Sequence, residues 1–165
     1  MASQKYILTE IKKGYNLSWY VCSQCYYAGT IKLYDDTGKV YFTCSKTSGS
    51  TSYQSLAQGH DDFTGNELYL SVEIPQSTKI QQSITANSVT DAHAVKVGQV
   101  YGFCIEDYND EDYNDFYIDV VGWAKKRINW KIQTVLLQQC LSTRRNMSKS
   151  VMNAGVSSFR AMSLM

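Results

Sequence analysis

The densest chemistry in the chain is Glu106-Asp-Tyr-Asn-Asp110-Glu-Asp112-Tyr-Asn114-Asp115-Phe-Tyr-Ile-Asp119. Seven carboxylates fall within these fourteen residues, and no basic residue lies among them. Like charges so close repel; at ~4 Å and intermediate dielectric each pair costs on the order of a few kcal/mol. Either the loop is splayed in water or a cation neutralises it. All the candidate donors are oxygens: carboxylate, side-chain amide and backbone carbonyl. That set suits Ca²⁺, which takes ~6–8 oxygens at flexible angles, better than Mg²⁺, which demands an octahedron. Zinc and copper favour His or Cys, and the loop holds neither. In extended chain Asp110, Asp112 and Asn114 share one side, and they would converge with Glu106 and Asp115 if the loop curls. Asp110, Asp112 and Asn114 also match the opening positions of an EF-hand. Asp115 then stands where that loop requires Gly, Val121 stands where it requires Glu, and no helices flank the run, so the EF-hand is excluded.

The run Gly102-Phe-Cys-Ile-Glu106-Asp107, continuing through Asp110, Asp112-Tyr113-Asn114-Asp115 to an apolar strand ending in Trp123, resembles the calcium loop of the bacterial fucose/mannose-binding calcium lectins. Weaker similarity lies upstream at 30–34 and 63–66. The resemblance implies a small β-sandwich that holds two adjacent Ca²⁺ ions, with two sugar hydroxyls coordinated directly. By that match Glu106, Asp110, Asp112, Asn114 and Asp115 are the calcium ligands, with Asp112 and Asp115 bridging both ions. Asp107 matches a residue that shapes the site, so Asp107, Asp112, Asn114 and Asp115 surround the bound sugar. Two departures stand out. In that family the chain stops just after the Trp, and a partner's terminal carboxylate completes the calcium shell; here 42 residues follow Trp123. The strand from Phe116 to Trp123 is also one residue longer. Similar Asp/Asn loops in other β-sandwich modules bind calcium for structure alone.

Other constellations carry less. Cys22-x-x-Cys25 lacks a second pair or a βαβ context, so it reads as two structural thiols, not a zinc or redox site. Gly59-His60-Asp61-Asp62 reads as a surface turn before a strand. Nothing resembles a catalytic triad or a phosphate loop, and the acids crowd one loop and do not face each other across a cleft as glycoside hydrolysis requires. The expectation is a non-enzymatic binding protein. Tyr20, Tyr26, Tyr27, Tyr108 and Tyr113, in or near expected loops, are the recognition candidates among 13 tyrosines.

The elements that must position this loop read as strands. Gly29–Tyr34 and Lys39–Cys44 flank Asp35-Asp-Thr-Gly38, a hairpin signature. Ser45–Gln58 reads as a loop or irregular edge. Leu68, Leu70, Val72 and Ile74 alternate with polar residues, a half-buried strand that Pro75 ends. Further strands are expected over 79–85, 99–105 (after a turn at 95–98) and 116–123. With 44% hydrophobic and 13% aromatic residues the chain can bury a core. The fold class is therefore all-β, an antiparallel β-sandwich over residues 1–124.

Beyond Trp123 the pattern changes to helical spacing, with Ile128, Ile132, Val135 and Leu136 on one face. A basic helix is expected over 126–141 and a flexible tail over 142–165. The chain carries a net charge of +1, but residues 1–123 hold 8 basic and 15 acidic groups, and residues 124–165 hold 8 basic groups and no acid. An acidic body and a basic arm (125–165) are complementary, which favours homo-oligomers locked by the arm. The arm lacks interleaved aromatics, so nucleic acid is not an expected partner. The amino-terminal residues lack the apolar block of a secretory signal, and no apolar run is long enough to span a bilayer. The expected function is calcium-dependent carbohydrate binding. The alternatives are a self-assembling structural protein and, more weakly, a membrane-active toxin component.

Overall fold

The computed structural model describes residues 1–107 and 111–125. Asp110, Tyr108 and the expected helical arm at 126–165 lie outside the described residues. Among the described residues, nine antiparallel strands make two sheets. The first sheet has the order β1 (Ala2–Ile7), β6 (Leu68–Ile74), β3 (Gly29–Asp35), β4 (Val40–Lys46). The second has the order β5 (Gln54–Asp62), β2 (Asn16–Ser23), β9 (Phe116–Trp123), β8 (Lys96–Glu106), β7 (Gln81–Thr90).

Alternation decides which face of each strand is buried. Leu68, Leu70, Val72 and Ile74 of β6 are 1% exposed or less, as are Ile31 and Leu33 of β3. Opposite them stand Leu17 and Val21 of β2, Phe103 and Ile105 of β8, and Phe116, Ile118 and Val120 of β9, together one continuous core. Burying each such side chain stabilises by about 1.5–3 kcal/mol. The β3–β4 hairpin turns as expected. Gly38 adopts φ 87°, a left-handed conformation glycine tolerates. The buried Asp35 carboxylate accepts the N–H groups of Thr37 and Lys39 at 3.0 and 3.1 Å and the Tyr41 hydroxyl at 2.8 Å.

Several expectations need correction. Of the segment 45–58, read as a loop or irregular edge, 47–53 is loop, while β4 runs to Lys46 and β5 begins at Gln54 as an edge strand with a register shift against β2. Gly59–Asp62 is strand, not a turn, and pairs with β2 from Asn16↔Asp62 to Trp19↔Gly59. Residues 96–98, read as a turn, open β8. Tyr20 is a strand residue within β2. β1 and β2 carry no expected counterpart in the sequence reading, and β7 runs five residues past Thr85.

Candidate functional site

The acidic loop joins two neighbouring central strands, β8 and β9, whose last pair beside the loop is Ile105↔Phe116. On the other side of β9, Ser23 of β2 pairs with Phe116. The chain leaving β2 is thereby held against the end of the loop. The Gln24 and Cys25 N–H groups both donate to the Asp115 carbonyl at 3.2 Å, and the Ser23 hydroxyl donates to the same oxygen at 2.5 Å.

The loop curls through two residues in the left-handed region, Glu111 (φ 59°) and Tyr113 (φ 57°). Such φ values are uncommon outside glycine. The curl divides the acidic residues into two groups. Glu106, Asp107 and Asp115 are 0%, 6% and 7% exposed, whereas Asp112 and Asn114 are exposed. Burying carboxylates costs several kcal/mol per ion, so donors must offset it. Glu106 Oε2 accepts the Tyr113 N–H at 3.0 Å. Asp115 Oδ2 accepts the Asp107 N–H at 2.5 Å. The Ser77 hydroxyl lies 2.7 Å from the Asp107 carbonyl and ties the loop to the segment before β7. At the rim, the Asn114 side-chain amide donates to Asp112 Oδ2 at 2.6 Å.

Asp107, Asp112, Asn114 and Asp115 line one cleft of about 310 Å³, together with Gln24, Tyr26, Tyr27 and Thr51. Four of the sequence-derived site residues are thus brought together. Glu106 is not among the cleft-lining residues: its buried carboxylate caps the loop backbone at Tyr113 instead. Tyr26 and Tyr27 stand at the cleft as recognition candidates, their rings 6.0 Å apart, and Tyr113 lies outside it.

Cys25, expected as a structural thiol, sits against the acidic group. It is completely buried, and its Sγ lies 3.6 Å from Asp107 Oδ2. Potential ligand atoms of Cys25, Asp107 and Asp115 all fall within 4.8 Å of one another. Burial, then the Asp115 charge, pushes the Cys25 thiol well above its ordinary pKa. It is therefore a neutral S–H donor that orients Asp107, not a thiolate. Its sequence partner Cys22 is a free thiol with no bond to it. Only the β2–β9 pairing reveals this role, because 82 residues separate the two partners. Ser23 and Gln24 were missed for the same reason.

As a donor set, the cleft fits a hard divalent cation. Its carboxylates and amide are all oxygen donors, two of the carboxylates are buried side by side, and the one sulfur present is held protonated. Asp112 and Asn114, being exposed, leave the outer side accessible to a ligand.

The two-sheet antiparallel β-sandwich is a fold found in bacterial lectins. Solved structures with this fold include the Ralstonia solanacearum high-affinity mannose-binding lectin (TM-score 0.53, 18% identity, covering 71% of this chain and 94% of that one). The C-terminal domain of the BC2L-C lectin from Burkholderia cenocepacia also matches (TM-score 0.54, 15% identity, 74% and 97% covered). So does the Chromobacterium violaceum lectin CV2L, solved in complex with alpha-methyl-fucoside (TM-score 0.53, 15% identity, 73% and 96% covered). These likenesses establish a shared fold spanning nearly the full length of each lectin. By sequence, no family model and no curated protein matches the chain.

Proposed function

We propose that the protein is a calcium-dependent, non-enzymatic carbohydrate-binding protein. The observation that carries this reading is the convergence of Asp107, Asp112, Asn114 and Asp115 on a single cleft, at one end of a sandwich shared with mannose- and fucose-binding lectins. Asp112, Asn114 and Asp115 would hold the ion with Asp110. Glu106 either supplies a further oxygen or fixes the loop from beneath. When bound, Ca²⁺ supplies coordination positions that vicinal sugar hydroxyls fill. The chain's own residues do the rest. Asp107 and Asp115 present acceptors to those hydroxyls, Gln24 and Asn114 present amides, and Tyr26 and Tyr27 wall the cleft. No bond is made or broken. One such site binds weakly, so several copies acting together would raise the avidity.

The test is a melting curve of metal-stripped protein with and without millimolar CaCl₂, followed by retention on fucose and mannose resins. Calcium is expected to raise the melting temperature by several degrees, because a ligand of the native state alone stabilises by RT ln(1 + [L]/Kd), about 2.7 kcal/mol at a hundredfold excess over Kd. Retention is expected to reverse with chelator. Asp112→Ala is expected to abolish both effects while folding normally, since Asp112 is exposed. Identical melting with and without calcium in the unaltered protein would overturn the calcium site. Calcium stabilisation without retention on either resin would leave a structural ion and overturn the lectin reading.

A further inference from the structure

We propose that the site extends into a tyrosine-lined groove that takes the second ring of an oligosaccharide, so that the protein recognises glycan ends of at least two sugars; this rests on the calcium-lectin reading above.

The groove, about 340 Å³, lies next to the acidic cleft and shares Gln24 and Asn114 with it. Its remaining walls are chiefly Tyr20, Tyr53, Tyr113 and Tyr117. Strand alternation sets three of these contributions. Leu17, Val21, Ile118 and Val120 point into the core, so Tyr20, Cys22 and Tyr117 project from the outer surface of the β2–β9 pair. The register pairs Cys22 with Tyr117 directly, and Ser23, the next residue, begins the turn to the acidic cleft. Tyr113 comes from the acidic loop itself, and Tyr53 from the loop before β5.

The chemistry of the lining selects the occupant. Four phenol rings give an apolar surface with hydroxyls at its margin. The Tyr20 and Tyr53 hydroxyls hydrogen-bond to each other at 2.5 Å, and the Tyr117 hydroxyl donates to Asp119 Oδ2 at 2.7 Å. These bonds fix the rings. Contiguous exposed apolar surface rimmed by polar groups marks ligand-binding grooves; here Tyr53 is 58% and Tyr117 37% exposed, and both line one groove. A pyranose ring offers an apolar C–H face to stack on a phenol and hydroxyls at its edge to bond the phenol oxygens and the Gln24 and Asn114 amides. A sugar ring held at the acidic cleft would direct its glycosidic neighbour across the shared Gln24–Asn114 border.

The experiment is calorimetric titration of the full chain in calcium. One set of ligands is methyl α-fucoside and methyl α-mannoside. The other is disaccharides that end in fucose or mannose, the mannobioses included. The matching disaccharide is expected to bind about tenfold tighter than its methyl glycoside, ~1.4 kcal/mol. Tyr53→Ala and Tyr117→Ala are expected to erase that advantage and leave methyl-glycoside affinity within about twofold. Tyr53→Phe, which keeps the ring, is expected to retain part of it. If the methyl glycosides bind but no disaccharide gains, or if the gain survives both alanine variants, the groove is overturned and the cleft stands. If neither methyl glycoside binds, the lectin reading fails and the groove with it.

Discussion

Asp115 and Phe116 are adjacent in the chain, yet one faces the cleft and the other fills the core, so packing at Phe116 sets the position of the acid. Phe116 is completely buried, and its ring lies over Gly29 of β3, in the opposite sheet. A Cβ at position 29 would stand 2.4 Å from Phe116 Cζ. Gly29→Ala must therefore displace the ring, at about 1–3 kcal/mol for overpacking. The expected result is a fall of several degrees in melting temperature together with a smaller calcium response, because Asp115 moves with Phe116. Gly38→Ala is the control. It strains the β3–β4 turn, with φ at 87°, at about 1 kcal/mol, but it lies in a hairpin of the opposite sheet and should leave the calcium response unchanged. Equal calcium responses in the two variants would show that Phe116 does not set the loop. The acidic residues themselves were legible from the sequence, because seven carboxylates without a basic residue are conspicuous at any register. Cys25 was not legible, because its role comes from a strand pairing and not from its spacing to Cys22.

At the scale of elements, legibility followed burial. β6 and β9 bury one face almost completely, so their alternation is clean and both were read at or within two residues of their bounds. The β3–β4 hairpin announced itself through its Asp-rich turn. β5 is nowhere fully buried, and Ser, Gln and Gly make up much of it, so composition left open a loop or an irregular edge, and pairing to β2 makes it an edge strand. β7 is the extreme case. Nearly all of Gln81–Thr90 is exposed on both faces, and among the described residues it pairs only with β8 at the edge of its sheet. No apolar period could mark where it ends. The consequence is dynamic: among the described residues about half of its amides face no neighbouring strand, and little apolar burial opposes its opening. Hydrogen exchange is expected to be at least about 100-fold faster in β7 than in β9, which lies between β2 and β8. Equally slow exchange in both strands would mean that this edge is covered, as it would be if a second copy paired with it.

At the scale of the whole molecule the charge division asks for a purpose. Residues 1–125 hold 9 basic and 15 acidic groups, and residues 126–165 hold 7 basic groups and no acid. Among the described residues, every strand and every core residue lies before position 125. A chain ending after Lys125 also keeps the Lys125–Asp62 ion pair at 2.6 Å. It should fold, melt within a few degrees of the full chain and retain calcium and sugar binding at the level of one site. We propose that the basic segment acts between molecules: its +7 would be attracted to the −6 of a neighbour's sandwich, and this attraction would weaken as salt rises. Light scattering of the full chain at about 50 mM and about 500 mM salt should show a larger particle at low salt. The truncated chain should be smaller at low salt and indifferent to it. Such assembly would also give individually weak sites their avidity on a glycan surface. If both chains have the same mass at both salt concentrations, the basic segment does not join subunits, and multivalency must come from the sandwich surface, with the bare β7 edge as the place to look.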